Sequence, residues 1–190
     1  MSGFETIRDL LAIGKNDATA IGAPKRTGLN YAVLRELADT TVARLNELGV
    51  GRNDRVAIVL PNSPEMAAAF VTIGCGATTA PLNPAYRREE FDFYLDDLAA
   101  KALVVEEGSE SPALSAAQDR NIPVFTLIAD ERKGAGSFRL EGKSAGAVAH
   151  PGMAEADDVA LVLHTSGTTS RPKIVPLTQR NVTASAAHIA

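Results

Sequence analysis

Ten residues concentrate the chemistry of this chain: His164-Thr165-Ser166-Gly167-Thr168-Thr169-Ser170-Arg171-Pro172-Lys173. Five hydroxyl side chains, one glycine and two cations follow directly on the apolar run Val159-Ala-Leu-Val-Leu163. Such a loop offers backbone N–H groups freed by Gly167, hydroxyls able to follow phosphate oxygens, and the ammonium of Lys173. A polyphosphate with Mg²⁺ neutralising its remaining charge requires this combination. A Ser/Thr-rich surface turn has the same composition. Composition alone does not choose between the two.

The glycine-rich nucleotide loop with spacing G-x-x-x-x-G-K-[ST] is the obvious competitor, and Gly167 and Lys173 have its separation. Three features exclude it. Pro172 stands in place of the second glycine and has no N–H to give a phosphate. Ile174 replaces the Mg²⁺-binding hydroxyl. The strand-like run Ile174-Val-Pro-Leu177 follows the lysine, so no helix N-terminus is aimed at the anion.

The elements that must carry this loop alternate between strand and helix patterns, which predicts an α/β fold with a mostly parallel, layered sheet and flanking helices. Leu34, Leu37, Ala38, Thr41, Val42, Leu45 and Leu48 recur at helical spacing, with Asn30 as N-cap and Gly49 as stop. Arg55-Val-Ala-Ile-Val-Leu60 reads as a buried strand. Ser63-Pro64 then caps a second helix running to about Ile73. A short strand at Ala77 to Pro81 precedes a helix with Phe91, Tyr94, Leu95 and Leu98 on one face. Strands at Ala102 to Val105 and Pro123 to Ile128 flank a helix at Pro112 to Asp119. Residues 130–157 carry little periodicity and read as a meandering connection, with a short strand at Ser137 to Leu140. Val159 to Leu163 reads as a buried strand, and Thr178 as the N-cap of a helix beginning Gln179-Arg-Asn-Val. Two units are expected: an α/β subdomain over 1–157, and the start of a second, with the loop, over 158–190.

The 190 residues, 45% hydrophobic and 22% charged, suffice for one substantial domain. A net charge of −4 argues against nucleic-acid binding, which needs a basic face. The single cysteine, Cys75, can form no internal disulfide, which points to a reducing cytoplasm. It lies in an apolar run and reads as a buried, inert thiol. Met1 to Arg8 lacks the pattern of a signal peptide. Met66 to Leu82 is too short and interrupted to span a bilayer. His150 and His188 are isolated, and no pair of histidines has metal-ligand spacing. Asp92, Asp96 and Asp97, with Glu89 and Glu90, read as a solvated acidic helix face rather than a metal site. Asn62 and Tyr86 read as turn and packing residues. His164 could face a ligand, but a histidine at a strand end is more commonly packed and hydrogen-bonded.

Thr165 through Lys173 resembles the phosphate-binding signature T-S-G-T-T-G-x-P-K-G of the adenylate-forming superfamily, which includes acyl-CoA synthetases, luciferases and peptide-synthetase adenylation domains. Ser170 and Ile174 depart from the common glycines, and Ile174 adds bulk beside the loop. Leu60-Pro-Asn-Ser-Pro-Glu65 and Gly76 through Tyr86 into Glu90-Phe91 are similar to the family's N-terminal core segments, so the resemblance covers the chain from about Thr27 onward. The run Ala80 to Val105 and the loop look most like oxalate–CoA ligases of plants and fungi.

The resemblance implies an N-terminal subdomain of an acid–thiol ligase. In that chemistry a carboxylate attacks the α-phosphorus of ATP, pyrophosphate leaves, and coenzyme A then displaces AMP. It implies that Thr165, Ser166, Gly167, Thr168, Thr169 and Lys173 hold the β- and γ-phosphates of ATP with its Mg²⁺, with Ser170 and Arg171 peripheral. It implies no general base, nucleophile or metal ligand in this region. The stop inside a helix leads us to expect the front part of a longer enzyme, inactive alone. A stand-alone phosphate-binding module without catalysis is the alternative. The acyl substrate and oligomeric state are not written in these residues.

Overall fold

The strand patterns join into one sheet whose inner members run in the same direction. The computed structural model describes residues 4–165 and 172–189. In chain order the elements are α1 (Ile7–Ile13), β1 (Thr19–Ile21), β2 (Leu29–Asn30), α2 (Tyr31–Glu47), β3 (Arg55–Val59), α3 (Pro64–Gly74), β4 (Thr78–Pro81) and α4 (Arg88–Asp97). There follow β5 (Ala102–Glu106), α5 (Ala113–Asp119), β6 (Val124–Ala129), a 3-10 turn (Glu131–Lys133), β7 (Phe138–Gly142), β8 (Val159–Thr165), β9 (Lys173–Thr178) and α6 (Gln179–Ile189).

The sheet order is β7-β6-β5-β3-β4-β8-β9, and β1 and β2 form a separate antiparallel ribbon. Strands β6, β5, β3, β4 and β8 are parallel to one another, while the edge strands β7 and β9 pair antiparallel with β6 and β8. Helical crossovers impose this arrangement, because parallel neighbours cannot be joined by a tight turn.

From Val56 to Val59, β3 is apolar because both its faces are covered. Val56 and Ile58 pack with Leu45 of α2 and Ile73 of α3, whereas Ala57 and Val59 pack with Phe91 and Leu95 of α4. Val56 to Val59 are all buried. Burying a side chain of this size is worth about 1.5–3 kcal/mol, so these alternating faces fix the register of the central strand.

Local chemistry sets the helix ends as expected. Asn30 Oδ1 accepts from the Val33 N–H at 2.9 Å, and Ser63 Oγ accepts from the Met66 N–H at 3.1 Å ahead of Pro64. Gly49, just past α2, takes a φ of +83°, and a Cβ there would lie 2.1 Å from the Gly146 carbonyl oxygen. Glycine is required on both counts.

The acidic face of α4 is solvent-exposed at Glu89, Glu90, Asp96 and Asp97, as expected, and its aspartates are also paired: Asp92 and Asp96 bind Arg120, Asp92 also binds Arg88, and Asp97 binds His164. Strand β8 is buried at Ala160 and Val162, but Leu163 is 42% exposed. Its pairing with β4 is recorded at Thr79↔Leu161, and β4 ends at Pro81, so the tip of β8 overruns its inner neighbour. The short strand expected at Ser137 to Leu140 within 130–157 is β7, which adds to the sheet edge over Phe138–Gly142. Strands β8 and β9 extend this same sheet from residue 159 onward.

Candidate functional site

The direction of the sheet reverses between β3 and β4: the chain passes from β3 out to β4, then back across to β5. Open parallel sheets leave a crevice at such a point, beyond the carboxyl ends of the strands. Here Leu60, Pro61 and Asn62 after β3, and Leu82, Asn83 and Pro84 after β4, line a cavity of about 520 Å³. Strand β8 runs parallel to β4, so its last residue, Thr165, emerges at the same end of the sheet.

The signature loop is strung between the antiparallel strands β8 and β9, with Thr165 paired to Lys173. Lys173 therefore begins a strand, and the next helix starts only at Gln179. A strand-to-helix phosphate loop is excluded, as Pro172 and Ile174 indicated. Both Thr165 and Lys173 are exposed, and Thr165 Oγ1 lies 3.5 Å from the Lys173 carbonyl oxygen. Ser166, Gly167, Thr168 and Thr169 lie outside the described residues, as do Ser170 and Arg171.

One residue before the loop, His164 is held on two sides. Its Nε2 lies 3.0 Å from Asp97 Oδ2, and its ring meets Tyr94 edge-on at a centroid separation of 4.6 Å. Tyr94 in turn stacks on Tyr86 at 4.9 Å. A hydrogen bond with Tyr94, reinforced by burial, pushes the Tyr86 phenol up to about 12. Tyr86 is thus a packing residue, as its sequence context indicated. Sequence reasoning missed Asp97 and Tyr94 as neighbours of the loop. Their only signal was a polar and an aromatic residue three apart on α4, which marks one helix face but no partner.

Ile174 opposes His164 across the strand pair and packs against the apolar cluster containing Phe91, Leu95 and Val162. Its bulk is thereby directed into the core under α4. Cys75 lies at the end of α3, 1% exposed, and burial pushes its thiol up to about 12. It is inert at neutral pH. No helix among the described residues is long and apolar enough to cross a membrane.

A parallel sheet with a crevice at its reversal point, and with Thr165 emerging at the same end, has the architecture of α/β proteins that take ligands beyond the carboxyl ends of their strands. The AMP-binding enzyme family matches residues 12–190, and the chain belongs to that family. It is 40% identical over 179 residues to the probable CoA ligase CCL9 of Humulus lupulus, which takes in 92% of this chain and 34% of that protein. It is 38% identical over 181 residues to the oxalate–CoA ligase of Arabidopsis thaliana, with 91% and 34% covered. The chain therefore spans about a third of the length of these curated relatives. Among solved structures its backbone is similar to apo MatB from Rhodopseudomonas palustris, with a TM-score of 0.73 and 24% identity over 98% of this chain and 37% of that one.

Proposed function

We propose that the chain is the N-terminal part of an ATP-dependent carboxylate–CoA ligase and supplies its grip on the β- and γ-phosphates. The observation that supports this reading is the signature Thr165 to Lys173, whose first and last residues pair across β8 and β9, in a chain of the AMP-binding family. MgATP is the substrate these residues would receive. The Thr165 and Ser166 hydroxyls, the N–H groups around Gly167, Thr168 and Thr169, and the Lys173 ammonium would neutralise phosphate charge as pyrophosphate departs. Catalysis of this kind rests on positioning and charge stabilisation rather than on a protein nucleophile. The two CoA-ligase relatives support coenzyme A as the thiol acceptor and oxalate as the first carboxylate to try.

We further propose that residues 158–190 belong with chain that follows them, and that the 190 residues alone adenylate no carboxylate. The deciding assay is carboxylate-dependent ATP–pyrophosphate exchange by the full-length protein, starting with oxalate and extending to aliphatic and aromatic acids. Exchange that requires a carboxylate supports a ligase. ATP binding without exchange for any acid tested would leave only a phosphate-binding module.

A further inference from the structure

The loop's two stems, Thr165 and Lys173, are exposed, yet the residues next to them are packed. His164 and Ile174 are direct cross-strand partners, and such partners project from the same face of a sheet. Both reach α4 on that face: the His164 side chain is only 8% exposed, against Asp97 and Tyr94, and Ile174 joins the cluster around Phe91 and Leu95. Because alternate residues of a strand point to opposite faces, fixing His164 inward turns Leu163 and Thr165 toward the other, open face. The tip of β8 overruns β4, so it lacks the parallel partner that steadies the inner strands.

We infer that His164 and Ile174 are positioning residues that clamp both stems of the phosphate loop onto α4, with Asp97 and Tyr94 as the fixed jaw. This rests on the reading that residues 165–173 receive the phosphates of ATP. The clamp pre-forms the separation and facing of Thr165 and Lys173 before nucleotide arrives, so less ordering is left to binding. The imidazole itself touches no substrate.

The test uses the full-length protein and three substitutions. His164→Phe keeps the ring against Tyr94 but loses the bond to Asp97, His164→Gln keeps an amide that can reach the carboxylate, and Asp97→Ala removes the partner. His164→Phe should raise KM for MgATP by about 10-fold, short of the roughly 100-fold that a 1 Å misplacement can cost. KM for the carboxylate should stay within about twofold, since a contact confined to the phosphate loop is not shared with the acid. His164→Gln should recover most of the loss. Asp97→Ala should match His164→Phe, and combining the two should add little, as expected for one shared interaction. Unchanged KM for MgATP, or a parallel rise in both KM values with a falling Tm, would overturn the inference. Absence of exchange in the wild type would sink the ligase reading but leave the clamp testable by amide hydrogen exchange. His164→Phe and Ile174→Gly should then speed exchange at Leu163 to Thr165 and Lys173 to Val175 while leaving β3 and β5 unaltered. Unchanged protection at the stems would refute the clamp.

Discussion

The side-chain amide of Gln179 donates to the carbonyl of Gly74 at 2.6 Å, joining the first residue of α6 to the last of α3. Its Oε1 accepts the Ile7 N–H of α1 at 2.9 Å, and the residue is fully buried. Three helix ends meet on one side chain, because backbone groups left over at helix termini must be satisfied when water cannot reach them.

Gln179→Ala should therefore be among the costlier single changes in the chain. It orphans a buried donor and a buried acceptor and leaves a cavity, together worth about 2–5 kcal/mol. Urea unfolding should show a lower midpoint with little change in slope, and Gln179→Met should recover the volume but not the bonds. A loss below that of ordinary surface substitutions would show that the three ends are held by other contacts.

Acid should weaken the fold through two buried carboxylates. Burial alone would raise Asp158, but the Glu155 N–H, the Asn53 amide and the Arg52 guanidinium together hold it below the usual carboxylate range. Burial likewise opposes Glu65, and Arg26 and the Gly136 N–H outweigh it. A carboxyl lowered in the folded state contributes stability that is fully present above its unfolded value and is lost as pH falls through the folded one. Unfolding free energy measured from about pH 6 to about pH 3 should decline, and less steeply in Asp158→Asn than in the wild type. At neutral pH that substitution should cost about 1–3 kcal/mol. Equal slopes in the two proteins would exclude Asp158 as a source of the acid sensitivity.

Cys75 should resist alkylation. A thiol pushed up to about 12 and 1% exposed offers almost no thiolate and no access. Labelling with iodoacetamide at pH 8 should proceed about 1,000-fold slower in the native protein than in urea, tracking the small unfolded fraction. Rapid native labelling would mean that the end of α3 opens locally.

In the full-length protein, Lys173→Ala should lower adenylation far more than Arg171→Ala. A phosphate contact in a partly desolvated site is worth about 2–4 kcal/mol, or roughly a 30- to 1,000-fold loss. Arg171 occupies the variable position of the signature, and a rim charge should cost less than about tenfold. Both variants need matched thermal stability, saturating Mg²⁺ and one carboxylate. Equal losses would show that the roles assigned along this loop are wrong.

Residues close in sequence determined the elements and the chemistry of the loop. Asn30 and Ser63 announce helix starts because a short polar side chain can reach its own backbone three residues on. The unbroken apolar run of β3 announces a strand covered on both faces. Pro172 and Ile174 announce that a strand, not a helix, follows the loop, and β9 follows it. The tertiary structure alone decided which distant groups meet. Gln179 finds Gly74 and Ile7, His164 finds Asp97, and Arg120, just past α5, pairs with Asp92 and Asp96 of α4. A polar side chain carries the capacity for such bonds without any local mark of its partner, since the partner is brought within 3 Å only when the sheet order and helix packing are set. The antiparallel edges, by contrast, are local: β7 follows β6, and β9 follows β8, through connections too short for a parallel crossover.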